Sequence, residues 1–250
     1  MDLGLQGKRV LVSGASRGIG RAIVQLFLEE GAQVAFCARG QTGVQSAQLE
    51  FGERASGTAV DVTQPEHVRA WVNEAAQHMG GLDIVVPNVS ALAGGDDLET
   101  WRRAFDTDLL GSATMVKAAL PALRQSQAAA VVLISSVSGR EVDMFAEPYG
   151  VLKAALLHYG KTLSVRHAHE GIRVNSVSPG NVYFPEGVWG DIEREQPDTF
   201  AKSLAENPMG RMATPEEVAK AVVFLASPAA SFTTGTNLLV DGGLTRSVQF

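Results

Sequence analysis

One cysteine in 250 residues, Cys37, cannot form an internal disulfide, so no disulfide framework holds this chain. A reducing compartment suits it. Positive charge is also in short supply, with 21 Lys and Arg against 27 Asp and Glu and a formal net charge of −6. That balance argues against nucleic acid, whose phosphates it would repel, and against an anionic membrane surface. No long apolar run exists. The longest, 128–134, is far short of the roughly 18 residues that suggest a membrane span. The first nine residues carry no apolar secretion-signal core, so a cytoplasmic protein is expected. Gly and Pro together make 36 residues, too few for a fibrous or disordered chain, and the 45% of apolar residues is that of a packed core.

What is present is an alternation of short apolar runs and longer helical patterns. Strands are expected at 9–13, 33–37, 58–60, 82–86, 130–135, 172–177 and 237–240, and helices at 19–30, 65–79, 98–123, 145–169 and 215–226. Apolar residues at 19, 22, 23, 26 and 27 mark one face of the first helix. Such alternation predicts parallel pairing through right-handed crossovers, in one open α/β sheet of about seven strands with helices on both faces. The stretch 181–207 breaks the rhythm. It is polar and charged yet carries Phe184, Trp189 and Phe200, and reads either as a surface insertion or as a lid.

Between the first strand and first helix runs Ser13-Gly14-Ala15-Ser16-Arg17-Gly18-Ile19-Gly20. Glycines let backbone N–H groups approach a phosphate, and the helix N-terminus adds a favourable dipole. The spacing is Gly-x-x-x-Gly-x-Gly rather than the usual dinucleotide fingerprint, but its place in the first strand–turn–helix unit points to the same use. An NAD site places an acid after the second strand to take the ribose hydroxyls, whereas an NADP site places a cation there. This strand ends Cys37-Ala38-Arg39, and Arg17 lies inside the turn. The two guanidiniums favour NADP(H), with NAD(H) possible.

Tyr149 and Lys153 lie four apart in a predicted helix, hence on one face. A phenol loses its proton near pH 10, and an adjacent ammonium favours the phenolate; bringing that loss near neutrality takes about 4 kcal/mol. Such a tyrosine can give a proton to a carbonyl oxygen or take one from an alcohol. Ser136, thirteen residues earlier, follows the fifth strand, where open parallel sheets bind ligands.

The glycine turn, the Tyr-x-x-x-Lys pair and the serine thirteen residues before it together resemble the classical short-chain dehydrogenases/reductases, over nearly the whole chain. The resemblance implies a single Rossmann-type doubly wound domain, usually a homotetramer, that acts on alcohols and carbonyls with NAD(P). It implies catalytic roles for Tyr149 as general acid/base, for Lys153 as its electrostatic partner and ribose ligand, and for Ser136 on the substrate oxygen. It implies cofactor contacts by Gly14, Ser16, Arg17, Gly18, Ile19, Gly20, Arg39, Asp61, Val62, Asn88, Tyr149, Lys153, Pro179, Gly180 and Val182. Thr236 to Gly243 resembles the family's closing strand and turn.

Three departures stand out. The family's Asn-Asn-Ala-Gly is here Pro87-Asn88-Val89-Ser90. Asp108 stands at the fourth catalytic position, where the family has an asparagine. An aspartate keeps an acceptor and loses the amide donor, so Asp108 either holds the family's water and pairs with Lys153 or slows proton relay. Phe184 replaces a frequent threonine.

Substrate contacts are expected from Ser90, Met144, Phe145, Phe184 and Trp189, giving apolar walls around one polar focus for a small to medium ketone, aldehyde or secondary alcohol; an oxoacyl or sugar substrate also remains open. Small residues Ala113, Ala118, Ala119, Ala154 and Ala155 on helix exteriors would let subunits pack closely, and the tail 246–250 would reach a neighbour. No metal site is expected: His167 and His169 do not share a helix face, and His67, His78 and His158 read as surface residues. The Trp101-Arg102-Arg103 cluster reads as a solvated helix turn. Two other functions stay open, a non-catalytic dinucleotide sensor and an isomerase or lyase on the same scaffold.

Overall fold

The computed structural model describes residues 1–92, 94–142 and 147–248. Seven strands, β1 (Arg9–Ser13), β2 (Gln33–Ala38), β3 (Ala55–Ala59), β4 (Ile84–Val86), β5 (Ala130–Ile134), β6 (Arg173–Pro179) and β7 (Asn237–Val240), form one sheet in the order β3-β2-β1-β4-β5-β6-β7. Every pairing is parallel. The helices are α1 (Gly18–Glu29), α2 (Gln41–Phe51), α3 (Pro65–His78), α4 (Leu98–Ala104), α5 (Gly111–Leu123), α6 (Glu147–His167), α7 (Val188–Glu195), α8 (Pro197–Ala205) and α9 (Pro215–Ala226). A π-helical turn, Phe105–Leu110, joins α4 to α5.

Two cores form because side chains alternate along each strand. Val10 and Val12 of β1 face α1 and α9 with Ile23, Phe27, Val218 and Val222. Leu11, between them, faces α3 and α5 with Trp71, Val72 and Val116. Strand β5 divides likewise, Val132 to the first core and Val131 and Leu133 to the second. Each such side chain, fully buried, contributes about 1.5–3 kcal/mol of transfer free energy. The result is the Rossmann-type doubly wound sheet, with helices on both faces.

The sheet corrects several boundaries. The third strand lies at 55–59 rather than 58–60, because β2 pairs Val34 with Ala55 and carries the register onward to Ala59. The helix expected at 98–123 is interrupted by the π turn. Helix α2 was not expected: it buries only Val44, Ala47 and Phe51 and shows little apolar periodicity. The segment 181–207 holds α7 and α8. Ala119, read as a helix exterior, is fully buried in the second core.

Candidate active site

The strand order reverses between β1 and β4, which opens a crevice at their carboxyl ends. The loops there are tied together: Asn88 Nδ2 donates to the Gly14 carbonyl at 3.0 Å, and Asn88 N–H to Ser13 Oγ at 3.1 Å. A Cβ on Gly20 would fall 2.1 Å from the Gly14 oxygen, so the turn closes only with glycine there. Helix α1 starts at Gly18 with no side-chain cap and no acid in its first turn. Its N-terminal donors and dipole therefore suit an anion.

At the far end of the crevice stand Arg39 and Asp61. The Thr63 hydroxyl, against some burial and with the Thr63 N–H and the Arg39 charge, holds the Asp61 carboxyl below the usual range. Helix α2 begins beside them, uncapped and without an acid in its first turn, and a Cβ on Gly43 would fall 3.2 Å from Ser16 Cβ. Cys37 is fully buried, and burial pushes its thiol up to about 12 despite the Gly14 backbone.

At the other end, β5 delivers Ser135 and Ser136. Ser135 Oγ donates to the Lys153 carbonyl at 2.8 Å, and Ser136 caps a short 3-10 turn, Val137–Gly139, accepting from Ser138 N–H at 3.2 Å. A Cβ on Gly139 would sit 2.7 Å from the Lys153 carbonyl carbon, so glycine lets this turn lie directly on α6. Tyr149 and Lys153 are one turn apart on α6, with Lys153 Nζ 5.6 Å from the centre of the Tyr149 ring. Lys153 is only 2% exposed. Its ammonium donates to the Ile134 carbonyl at 3.2 Å and lies 3.1 Å from Asp108 Oδ1, itself 2% exposed. A buried ammonium needs such partners to remain charged.

These ends belong to one cavity of about 640 Å³. It is lined by Gly14, Ser16, Arg17, Gly18, Ile19, Gly20, Arg39, Asp61, Val62, Asn88, Ser90, Ser136, Tyr149, Lys153, Pro179, Gly180, Val182, Phe184 and Trp189. Asp108 stands behind Lys153. Met144 and Phe145 lie outside the described residues, as does the end of the tail at 249–250. The sequence reading missed Arg103, Thr107, Ser138 and Asn181, which also line the cavity. Arg103 is exposed, as expected of a solvated helix turn, and also stands at the cavity's edge. Phe184 packs over the turn: a Cβ on Gly18 would fall 2.6 Å from its ring, and one on Gly187 equally close. Arg17 Nη1 donates to the Glu186 carbonyl at 3.1 Å.

Comparison with known proteins agrees with this geometry. The family model described as enoyl-(acyl carrier protein) reductase matches residues 14–245. The chain is 39% identical to isoepoxydon dehydrogenase patN of Penicillium expansum, over all of this chain and 99% of that protein. It is 38% identical to L-fucose dehydrogenase of Mus musculus, over 95% of this chain and 88% of that one. It is 34% identical to the 3-oxoacyl-[acyl-carrier-protein] reductase FabG of Vibrio cholerae, over 97% and 99%. A glycine turn at the sheet's reversal point, a Ser–Tyr–Lys cluster across the same cavity and relatives matched end to end thus converge: the chain belongs to the short-chain dehydrogenases/reductases, enzymes that interconvert carbonyls and alcohols with a nicotinamide dinucleotide.

Proposed function

We propose that this enzyme prefers NADP(H), with Tyr149 as the proton donor and acceptor at the substrate oxygen. The observation that carries the reading is the placing of Ser136, Tyr149 and the buried Lys153 on the wall of the cavity that also holds the glycine turn. The residues present fit a dinucleotide, since glycine at 20 lets the turn close tightly on Gly14 and Asn88, and α1 starts uncapped with no acid in its first turn. Gly14 to Gly20 would hold the pyrophosphate, Asp61 and Val62 the adenine, and Asn88, Pro179, Gly180 and Val182 the nicotinamide half. Arg39, Arg17 and Ser16 beside the acid-free start of α2 favour a 2′-phosphate; Asp61 is engaged by Thr63, so it competes little for those cations. When bound, the dinucleotide supplies or accepts the hydride.

In reduction Tyr149 gives its proton to the carbonyl oxygen, and in oxidation it takes the alcohol proton. Ser136 donates a hydrogen bond to that oxygen. Lys153 holds positive charge near the phenol and stabilises its deprotonated form. Ser90, Phe184 and Trp189 bound a pocket for a small secondary alcohol or ketone. The relative named for L-fucose supports a compact hydroxylated substrate. Residues 181–207 act as a lid. Exposed Leu98, Phe105, Leu110, Val151 and Val165 support a homo-oligomer, a tetramer by resemblance. The buried lone Cys37 fits a reducing compartment such as the cytoplasm. No described helix is long and apolar enough to cross a membrane.

Turnover of NADPH and NADH on a panel of small ring ketones, with Tyr149→Phe and Arg39→Ala, tests this. Tyr149→Phe is expected to lower kcat at least about 100-fold. Arg39→Ala is expected to raise KM for NADPH about tenfold and leave NADH nearly unchanged. A Tyr149→Phe enzyme with wild-type kcat ends the proton role; equal effects on both nucleotides end the preference.

A further inference from the structure

Two of the departures from the family pattern meet in space. Ser90 stands where the family has glycine and Asp108 where it has asparagine. They are 18 residues apart, yet Ser90 Oγ donates to Asp108 Oδ1 at 2.6 Å. The same Oδ1 lies 3.1 Å from Lys153 Nζ, and Oδ2 accepts from the Ala91 N–H at 2.8 Å. Ser90 Oγ in turn accepts from the Leu92 N–H at 3.2 Å. Leu92 has φ of 42°, a left-handed conformation that a branched side chain adopts only when its surroundings impose it. Ser90, Ala91 and Leu92 all line the main cavity.

A carboxylate accepts at both ends, whereas a carboxamide has one accepting and one donating end. With an amide oxygen toward Lys153, the NH₂ would point at the Ala91 N–H. Turned over, it would point at the ammonium. The Ser90 hydroxyl can rotate to suit either; the backbone N–H and the ammonium have no such choice. The π turn fixes the location, since it carries Asp108, also buried, between the loop after β4 and α6.

We propose that Asp108 is a positioning residue which, with Ser90, sets the 90–92 cavity wall and the Lys153 ammonium by a single carboxylate, so that the family's own asparagine would not serve in this chain. The proposal rests on the proton machinery assigned above to Tyr149 and Lys153. Among the described residues, the ionisable side chains lining that cavity are Tyr149, Lys153, Arg103, Arg17, Arg39, Asp61 and Cys37. Replacing Asp108 by asparagine removes the negative charge nearest the ammonium. Whichever way the amide turns, the phenolate of Tyr149 is then favoured more strongly.

The test compares the full-length wild type with Asp108→Asn, Ser90→Ala and the double variant. Three readouts are used: backbone amide exchange of residues 88–92 without nucleotide, NADPH affinity by its fluorescence, and the pH profile of alcohol oxidation with NADP⁺, using the reduced form of whichever panel ketone turns over fastest. Asp108→Asn is expected to move the rising limb of that profile to lower pH and to lower kcat at least about tenfold, with NADPH affinity within about threefold of wild type. Ser90→Ala is expected to quicken exchange at Leu92 at least about tenfold, and the two substitutions together to be less than additive in exchange and in kcat. An Asp108→Asn protein with an unmoved limb and wild-type kcat overturns the proposal, even if it is less stable. Additive effects overturn the link to Ser90. If Tyr149→Phe retains full activity, the assignment of the proton machinery falls instead, while the exchange data still judge the brace.

Discussion

Asp83 shows what one residue can do away from the site. It accepts from the Arg9 backbone N–H at 2.9 Å, from Arg9 Nε and Nη2 at 2.8 Å each, and from Ser126 Oγ at 2.6 Å, and so ties the start of β1 to the approaches of β4 and β5. Burial alone would raise its carboxyl, but the bonds from Arg9 and Ser126 and the Arg9 charge hold it down at about 2. A depressed carboxyl stabilises the fold at pH above its unfolded value near 4, and that stability is lost as pH falls from about 4 through 2. The contribution is roughly 2–3 kcal/mol at neutral pH. Urea midpoints taken from pH 6 to pH 2 should fall less steeply for Asp83→Asn than for wild type, and the variant should be less stable by about that amount at pH 7. Equal slopes would deny Asp83 this part in acid unfolding. Little of this was legible in the sequence, because Arg9, Asp83 and Ser126 are brought together only by the sheet. Tyr149, Lys153 and Ser136 were legible, since helix periodicity and the strand end place them locally. For Asp108 the sequence left two outcomes, and the structure shows the carboxylate beside Lys153.

At the scale of elements, those with strong end signals were found closest to their true limits. Helix α9 begins with Thr214, Pro215 and Glu217, and the structure shows the full capping box: Thr214 Oγ1 accepts from the Glu217 N–H, and Glu217 Oε2 accepts from the Thr214 N–H at 2.9 Å. Thr214→Ala should cost about 1 kcal/mol, seen as a small drop in Tm with an unchanged far-ultraviolet spectrum. A variant as stable as wild type would mean that the pairing of Glu217 with Arg211 alone holds this helix start. Helix α2 and strand β3 were missed or misplaced because their side chains say little. The helix is rich in Gln, Ser and Thr, and the strand, Ala55-Ser56-Gly57-Thr58-Ala59, is ordered by its neighbour. The π turn left no trace in apolar spacing; it fixes which groups meet, not which are buried.

For the whole molecule, the alternation of elements predicted the sheet, and the reversal of its strand order fixed where the cavity lies. What alternation could not give is the shape of the substrate end. There a second cavity of about 470 Å³, bounded by Glu141, Thr199, Lys202 and Leu244, shares Val137, Asn181 and Trp189 with the first. Trp189 is buried and rests edge-on against Phe200, with ring centres 6.5 Å apart. Its truncation to alanine should join the two spaces. Kinetics on a series of ring ketones of growing size should then show kcat/KM rising about tenfold for the bulkier members and falling for the smallest; an unchanged size ranking would mean that Trp189 bounds no substrate.

The contact of Phe184 with Gly18 and Gly187, and the bond from Arg17 to the Glu186 carbonyl, have a kinetic consequence under the proposed function. The stretch leading into α7 rests on the same turn that is assigned to the pyrophosphate, and the Arg17 guanidinium, with one donor on the Glu186 carbonyl, keeps others for a 2′-phosphate. A dinucleotide seated there would touch the roof under which an alcohol comes to lie. The order this contact predicts is dinucleotide first and organic reactant second, and product-inhibition patterns check it.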